Sequence, residues 1–448
     1  MVIIHYFLGF PPYRSGGLTK YSVDLMNAQA QNGDTIIALW PGRINLLLKQ
    51  SRIIKKKNVN NIVNYELVNP LPVSLDEGIK NIDEYTKPID INVFLDFFEK
   101  ECPEIIHIHT LMGLPKEFVM AAKKLNIKTV FTSHDYFGIC PKVTLYKNGC
   151  VCNDDDECRN CVYCNETALT LKKIQVMQSA LYRNLKNTYI VSKIRQMHRE
   201  KFFIEEKNEK IIIEKNDLER RAEDYRKLRK FYINIFRDMD IIHFNSSMTK
   251  EIYGRYFDLP KNKVLTISHK NIKDNRNVNR WEYHQKLRLT CLAPAKPFKG
   301  YKVLIESLDE LWKQGKREFQ LKMFNMVPDK RPYMQVQEKG FVYADLKQIM
   351  NETDVLIAPS VSYETFGFTV LEALSFGVPV IVSDHVGAKD IVNDAGIIVK
   401  AGDNVELCNA ISTLTKDRLY QLRKNVKQNV TIISWKQFIE ECYKLYRL

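Results

Sequence analysis

The stretch from Asp354 to Asp384, DVLIAPSVSYETFGFTVLEALSFGVPVIVSD, constrains the fold more than any other part of the chain. Its two short apolar runs, Val355 to Ala358 and Val378 to Val382, have the length and β-branched content of strands buried in a parallel sheet. Between them Phe368, Leu371 and Leu374 recur at helical spacing, and Gly377 with Pro379 supplies a stop. The unit is strand, loop, helix, strand. In a parallel sheet the loop leaving a strand's C-terminal end opens on the crevice where ligands bind, and the following helix aims free N–H groups there. Thr365, Phe366, Gly367 and Phe368 would supply those donors, with Glu364 and Glu372 bracketing them.

These residues resemble the signature of GT-B glycosyltransferases of the retaining family 4 (glycosyl transferases group 1), whose E-x7-E motif matches Glu364 and Glu372. The resemblance implies that Glu364 lies by the transferred sugar, that Glu372 hydrogen-bonds the nucleotide ribose, and that the intervening amides hold the diphosphate. The fold it implies is α/β: two Rossmann-like, doubly wound parallel-sheet domains facing a cleft.

A chain of 448 residues is too long for one ordinary core, which agrees with two domains. The apolar runs are strand-sized, and none reaches the roughly 18 residues of a membrane-spanning helix. The N-terminus, MVIIHYFLGFPP, starts directly as a strand, so a cytoplasmic protein is expected. A formal charge of +14 favours anionic partners: a nucleotide sugar, a phosphate-linked lipid or glycan acceptor, or the anionic inner face of a membrane. No nucleic-acid motif accompanies the charge, and nucleic acid is not expected as a partner.

Along the chain, Val2 to Leu8 reads as a strand and Leu18, Tyr21, Leu25 and Ala28 as a helix, which puts Gly16 and Gly17 at a helix start able to admit a phosphate or sugar. Thr35 to Trp40 is a further strand, whereas Asn45 to Pro72 is too irregular to read. Ile105 to His109 and Thr129 to Ser133 are strands that deliver His109 and His134 toward the cleft. His134-Asp135 resembles the family's histidine beside the donor sugar, which implies a site role for His134.

Six cysteines follow: Cys140, Cys150, Cys152, Cys158, Cys161 and Cys164. Their spacing suggests a structural zinc on four thiolates, without singling out which four. Similar clusters, introduced by a Cys-Pro after the histidine, occur in part of the resembling family. An alternative is a set of thiols in a loop that binds no metal.

From Thr167 to about Asp238 the chain is helical and basic. Leu171, Ile174, Met177, Leu181 and Leu185 form one stripe flanked by Lys172, Lys173, Arg183 and Lys186, expected to pack on its own domain and, in the alternative, to lie on a membrane surface. Leu218, Ala222, Tyr225, Leu228 and Tyr232 mark a second helix. Asp238-Met-Asp240 precedes the strand Ile241 to Phe244 and reads as structural. Val264 to Ser268 is expected as the last strand of this half, and His269 to Asn279 as the linker.

The second half opens with the strand Leu287 to Leu292. Lys299-Gly300 before a helix matches the family's phosphate-binding Lys-Gly, and a lysine charge there suits a departing diphosphate. Ala293-Pro294 stands where the family has Gly-Arg, leaving Lys296 as a substitute cation. Gly340-Phe341-Val342 resembles the turn that contacts the nucleotide base. The domains expected are 1–275, containing the cysteine loop at 140–165 and the helical insert at 167–238; 286–430; and a C-terminal helix at 431–448 crossing back to the first.

The function implied is transfer of a sugar from a nucleotide-diphosphate donor to a glycan or lipid-linked acceptor with retention, in surface polysaccharide synthesis, without a catalytic metal. The alternatives are a non-catalytic nucleotide-sugar binder and a sugar-nucleotide epimerase on the same frame.

Overall fold

The computed structural model describes residues 1–448 apart from 46, 49, 148, 154–156, 187, 190, 192, 194–212 and 278–280. Positions 148 and 154–156 of the expected cysteine loop, 187, 190, 192 and 194–212 of the expected helical insert, and 278–279 of the expected linker lie outside the described residues.

The apolar runs become two sheets. The first has the order β10-β9-β6-β5-β1-β2-β4-β3, made of β1 (Val2–Tyr6), β2 (Thr35–Pro41), β3 (Arg52–Val59), β4 (Ile62–Val68), β5 (Ile105–Ile108), β6 (Lys128–Ser133), β9 (Ile241–Phe244) and β10 (Asn262–Val264). Its pairs are parallel except β3 with β4. A two-stranded hairpin, β7 (Tyr146–Lys147) and β8 (Cys150–Val151), stands apart in the cysteine-rich loop. The second sheet is parallel throughout, in the order β13-β12-β11-β14-β15-β16, from β11 (Leu287–Cys291), β12 (Phe319–Phe324), β13 (Met334–Gln337), β14 (Val355–Ala358), β15 (Val380–Ser383) and β16 (Gly396–Val399). These are the two Rossmann-like sheets of the GT-B architecture.

Strand order reverses between β1 and β5 in the first sheet and between β11 and β14 in the second, and ligand crevices open at such switch points. β14 and β15 are buried along their whole length because helices cover both faces. One apolar cluster joins Tyr21 and Leu25 of the first helix (Gly17–Gln31) to Val370 and Leu374 of the Phe368–Ser375 helix and to Phe438 of the last helix (Trp435–Arg447), so the two sheets share packing. Ser434 starts that last helix with a capping box to Gln437, and Tyr446 near its end receives a hydrogen bond from Gln29 of the first helix at 2.9 Å.

Three sequence expectations need correction. Asn45 to Pro72 contains β3 and β4, which were hidden because the lysine-rich edge strand β3 alternates weakly and buries none of its residues fully. The strand expected at Val264–Ser268 is the short β10, ending at Val264. The stripe Leu171–Leu185 is two short helices, Leu171–Met177 and Ala180–Leu185, interrupted where Ser179 caps the second. Of the stripe only Ile174 is buried; Met177, Leu181 and Leu185 are exposed, as are neighbouring Val176 and Tyr189. The Asp238 and Asp240 pair is structural in its contacts: Asp240 accepts from the backbone and hydroxyl of Thr129 at 2.7 and 2.8 Å, and Asp238 pairs with Lys123.

Candidate functional site

The loop between β14 and the Phe368–Ser375 helix is held from both sides. Glu364 N–H donates to His385 O at 2.9 Å, Gly387 N–H to Glu364 O at 2.9 Å, and Ala388 N–H to Phe366 O at 2.7 Å. These bonds use the loop's carbonyls and leave the amides of Thr365 to Phe368 without acceptors among the described residues. Gly367 makes that possible: its φ of 105° is the left-handed conformation glycine tolerates, and a Cβ there would come within 2.8 Å of Val386. Four adjacent free N–H groups at a helix start form an anion cradle.

Cations converge on the same place. Lys299 closes the turn Pro297–Lys299, and Gly300, at φ 78°, sits so close to Pro359 that an added Cβ would lie 1.8 Å from its carbonyl oxygen. The Lys299 ammonium is 3.0 Å from Glu364 Oε1. It shares the Phe298 ring with Lys296, the two ammonium groups lying 5.7 and 5.4 Å from the ring centre. Lys296, expected as a substitute cation, thus lies on the same ring as Lys299.

The first domain supplies the opposite wall. Thr365 Oγ1 donates to His134 O at 3.2 Å, and Thr365 O accepts from Ser246 Oγ at 2.9 Å and Thr249 Oγ1 at 3.1 Å. His134 is half-buried, its ring 4.6 Å from that of Tyr21, and burial holds its pKa down at about 3, so it is a neutral imidazole. Asp135 beside it moves the other way, to about 6, by burial against the hydrogen bond from Phe137. Gly16, at φ 113°, precedes the first helix and Gly17 begins it; neither has an atom within 4 Å of where a Cβ would be, which leaves room there. Lys20, one turn on, faces the Tyr343 ring at 5.4 Å and so reaches across to the second domain.

Glu372 is buried one helix turn behind the cradle and meets a residue that sequence reasoning did not single out: His269 Nε2 lies 3.2 Å from Glu372 Oε1. The His269 ring is boxed edge-on by Tyr343 and Phe368. Its only mark in the sequence was that His269 opens the polar stretch expected as the linker. Tyr343 hydroxyl donates to Asn271 O at 2.6 Å, and Phe341 packs on Phe324, so the Gly340-Phe341 turn belongs to the same wall. Asn325, just past the end of β12, adopts φ 53°, which asparagine tolerates.

The cysteine loop does not assemble a metal site. Among the described residues the only three donor atoms within 4.8 Å of one another belong to His5, His107 and His109; no three of Cys140, Cys150, Cys152, Cys158, Cys161 and Cys164 come that close. Burial raises the thiol pKa of Cys140, and that of Cys164 to about 12, which keeps both protonated. The zinc expectation drew on spacing and on similar clusters in part of the resembling family, but the β7–β8 hairpin places Cys150 at an exposed position and Cys152 beyond it. Nor do the three histidines offer a metal site, because all six of their ring nitrogens are engaged by protein partners.

Comparison with known proteins bears on this geometry. Residues 286–417 match the family model described as glycosyl transferases group 1. That span contains Lys296, Lys299, the Gly340-Phe341 turn, the cradle and both glutamates. The chain is 34% identical over 99 residues to O-antigen chain mannosyltransferase B of Escherichia coli, an alignment covering 21% of this chain and 22% of that protein. It is 23% identical over 250 residues to an uncharacterized glycosyltransferase of Methanocaldococcus jannaschii, covering 48% of this chain and 62% of that protein. Less than two thirds of either curated protein is therefore spanned. The structure of HepE from Anabaena, solved in complex with UDP, superposes over 100% of both chains with a TM-score of 0.57 at 13% identity, and shares the GT-B fold.

Proposed function

We propose that this protein is a retaining glycosyltransferase that moves a sugar from a nucleotide diphosphate to a glycan or lipid-linked acceptor in surface polysaccharide synthesis. The observation that carries the reading is the convergence of Lys299, Glu364 and the four free amides of Thr365 to Phe368 opposite His134. Departure of a diphosphate develops negative charge, and preorganised N–H groups with a fixed ammonium stabilise it with no metal among them. Glu364 then stands where it orients the sugar and favours positive character at the anomeric carbon. Glu372, oriented by His269, accepts from the ribose hydroxyls, and the Gly340-Phe341 turn meets the base. Gly16 and Gly17 close the sugar's other side. UDP is the first nucleotide to test, since the Anabaena neighbour was solved with it.

A screen of UDP, GDP, ADP and their hexose conjugates by ligand-detected binding tests the reading. Glu372→Ala should weaken the selected nucleotide about 10- to 100-fold, the value of a charge-assisted hydrogen bond. Unchanged affinity would remove Glu372 from the site, and no binding by any conjugate would count against the function.

The acceptor reading rests on the other end of the first sheet. A cavity of about 520 Å³ lies past the C-terminal ends of β2 and β4, lined by Asn45, Gln50, Asn69, Lys87 and Gln175 among others. Leu47, Leu48 and Val176, sequence neighbours of the lining residues Asn45, Gln50 and Gln175, are exposed, as are Leu181 and Leu185 of the following helix, and Lys172 and Lys173 are exposed in the Leu171–Met177 helix. A polar pocket next to an apolar, basic face fits a polar head group whose lipid stays in an anionic bilayer. The protein should co-sediment with phosphatidylglycerol vesicles at low salt, and Leu181→Asp with Leu185→Asp should release it; equal binding of the double variant would sink the membrane contact.

A further inference from the structure

The first domain carries a line of hydrogen-bonded groups through its interior, from the backbone near β10 to His134 at the cleft. Burial keeps the imidazoles along it neutral. A neutral imidazole has one N–H and one lone pair, so fixing one end fixes the rest.

The fixed end is a carbonyl, which can only accept. His243 Nε2 lies 2.7 Å from Leu265 O, so the proton of His243 is on Nε2 and its Nδ1 is an acceptor. That Nδ1 is 3.0 Å from Thr132 Oγ1, which must donate to it. With its one proton used, Thr132 accepts from His107 Nε2 at 2.7 Å, and His107 Nδ1 is left as a lone pair. Tyr446 hydroxyl, at 2.8 Å, donates to that lone pair. Its oxygen accepts from the Gln29 amide at 2.9 Å, which turns Gln29 Oε1 toward His5. His5 Nε2 donates to that oxygen at 2.8 Å, so His5 Nδ1 accepts, at 3.0 Å, from His109 Nε2. His109 Nδ1 then accepts from His134 Nε2 at 3.4 Å. Reversing any link sets two lone pairs or two protons face to face in the interior, at the cost of an unmade buried hydrogen bond.

We propose that this chain holds His134 as the Nε2–H tautomer and leaves Nδ1 as a lone-pair acceptor, so that the group His134 meets in the cleft is a sugar hydroxyl and not a carboxylate. Nδ1 has no partner among the described residues, which leaves it available. Only the ligand's identity rests on the glycosyltransferase reading; the tautomer follows from the hydrogen-bond chain. Tyr446, on the helix that returns from the second domain, and Thr132 are thereby positioning residues for a side chain they do not touch.

The test is long-range ¹H–¹⁵N spectroscopy of the histidine side chains in the full chain, with His134→Gln to assign the His134 signals. A protonated Nε2 and an unprotonated Nδ1 at His134 are expected. Tyr446→Phe cuts the chain and frees Gln29 to turn over, so His134 should become a mixture of both tautomers; the near-isosteric Thr132→Val should do the same and guards against a folding defect in the first variant. A wild-type His134 protonated on Nδ1, or a single unchanged tautomer in both variants, would overturn the proposal. In the nucleotide screen, a uronic-acid conjugate bound as tightly as its hexose counterpart would overturn the hydroxyl assignment. Failure of every conjugate would count against the glycosyltransferase reading and leave the tautomer result standing.

Discussion

Lys299→Ala is expected to lower the rate of sugar transfer, or of donor hydrolysis without acceptor, by about 10²- to 10³-fold, the usual loss when one fixed donor to a developing anion is removed. The size follows from what the ammonium does in each state. Before the donor binds, Lys299 is paired with Glu364 at 3.0 Å, both side chains being about a quarter exposed. A diphosphate arriving on the amides of Thr365 to Phe368 brings more charge than one carboxylate, and more still as the bond to the sugar breaks, so Lys299 gains most in the transition state. The loss should therefore fall on kcat more than on KM. Lys299→Arg should recover part of it: the charge is kept, but the planar fork replaces a point charge beside Phe298. Combining Lys299→Ala with Glu364→Gln should cost less than the product of the two single losses, because each single change also leaves its partner unpaired. A fall of less than tenfold for Lys299→Ala would move the departing charge elsewhere in the cleft.

Both sheets were readable from sequence wherever strands are buried on two faces. β14 is an unbroken apolar run, β15 an apolar run closed by Ser383, and β5 and β9 apolar runs interrupted by one histidine each, and the second domain's cradle follows from glycine and glutamate positions that the helix start requires. What stayed hidden depends on contacts between segments distant in the chain. His269 reaches Glu372 across 103 positions, and Thr365 finds Ser246 across 119, distances at which local pattern says nothing. The cysteine loop failed in the opposite sense. Its spacing suggested a ligand set, but the chain path through the β7–β8 hairpin and the helix Arg159–Cys164 does not gather three thiols. The histidines misled differently: His109 read as a candidate for the cleft and is fully buried, one link behind His134. His5, His107 and His243 sit within apolar strands, where each looked like an isolated polar residue until adjacent strands placed His5 opposite His107 and Thr132 opposite His243.

That buried line predicts a steep loss of stability in mild acid. His5 and His134 are held at about 3 and His243 at about 4, and His107 and His109 well below their ordinary value, in each case chiefly by burial. Well above the ordinary histidine pKa of about 6.5 these groups are neutral whether the chain is folded or not, and they contribute little pH dependence. As pH falls through that value the unfolded chain takes up protons that the folded one refuses, so stability drops with pH until the folded pKa values are reached. Each such histidine removes on the order of 1 kcal/mol between pH 6 and pH 5. Asp135 acts oppositely, since its raised value of about 6 lets the folded state take a proton first and returns about 1 kcal/mol over the same interval. His134 opens to the cleft, and solvent screening reduces its share. The net expectation is a loss of roughly 4 kcal/mol between pH 6 and pH 5, a large part of a domain's stability. The carboxylates held low by ion pairs, such as Asp274 beside Arg276, titrate below this window and do not mask it. Urea unfolding at pH 7.5, 6 and 5, followed by a probe in the first domain, measures the effect. A midpoint unchanged from pH 7.5 to pH 5 would mean that the imidazoles are hydrated and protonated in the folded protein, and the hydrogen-bond chain would then have no fixed direction.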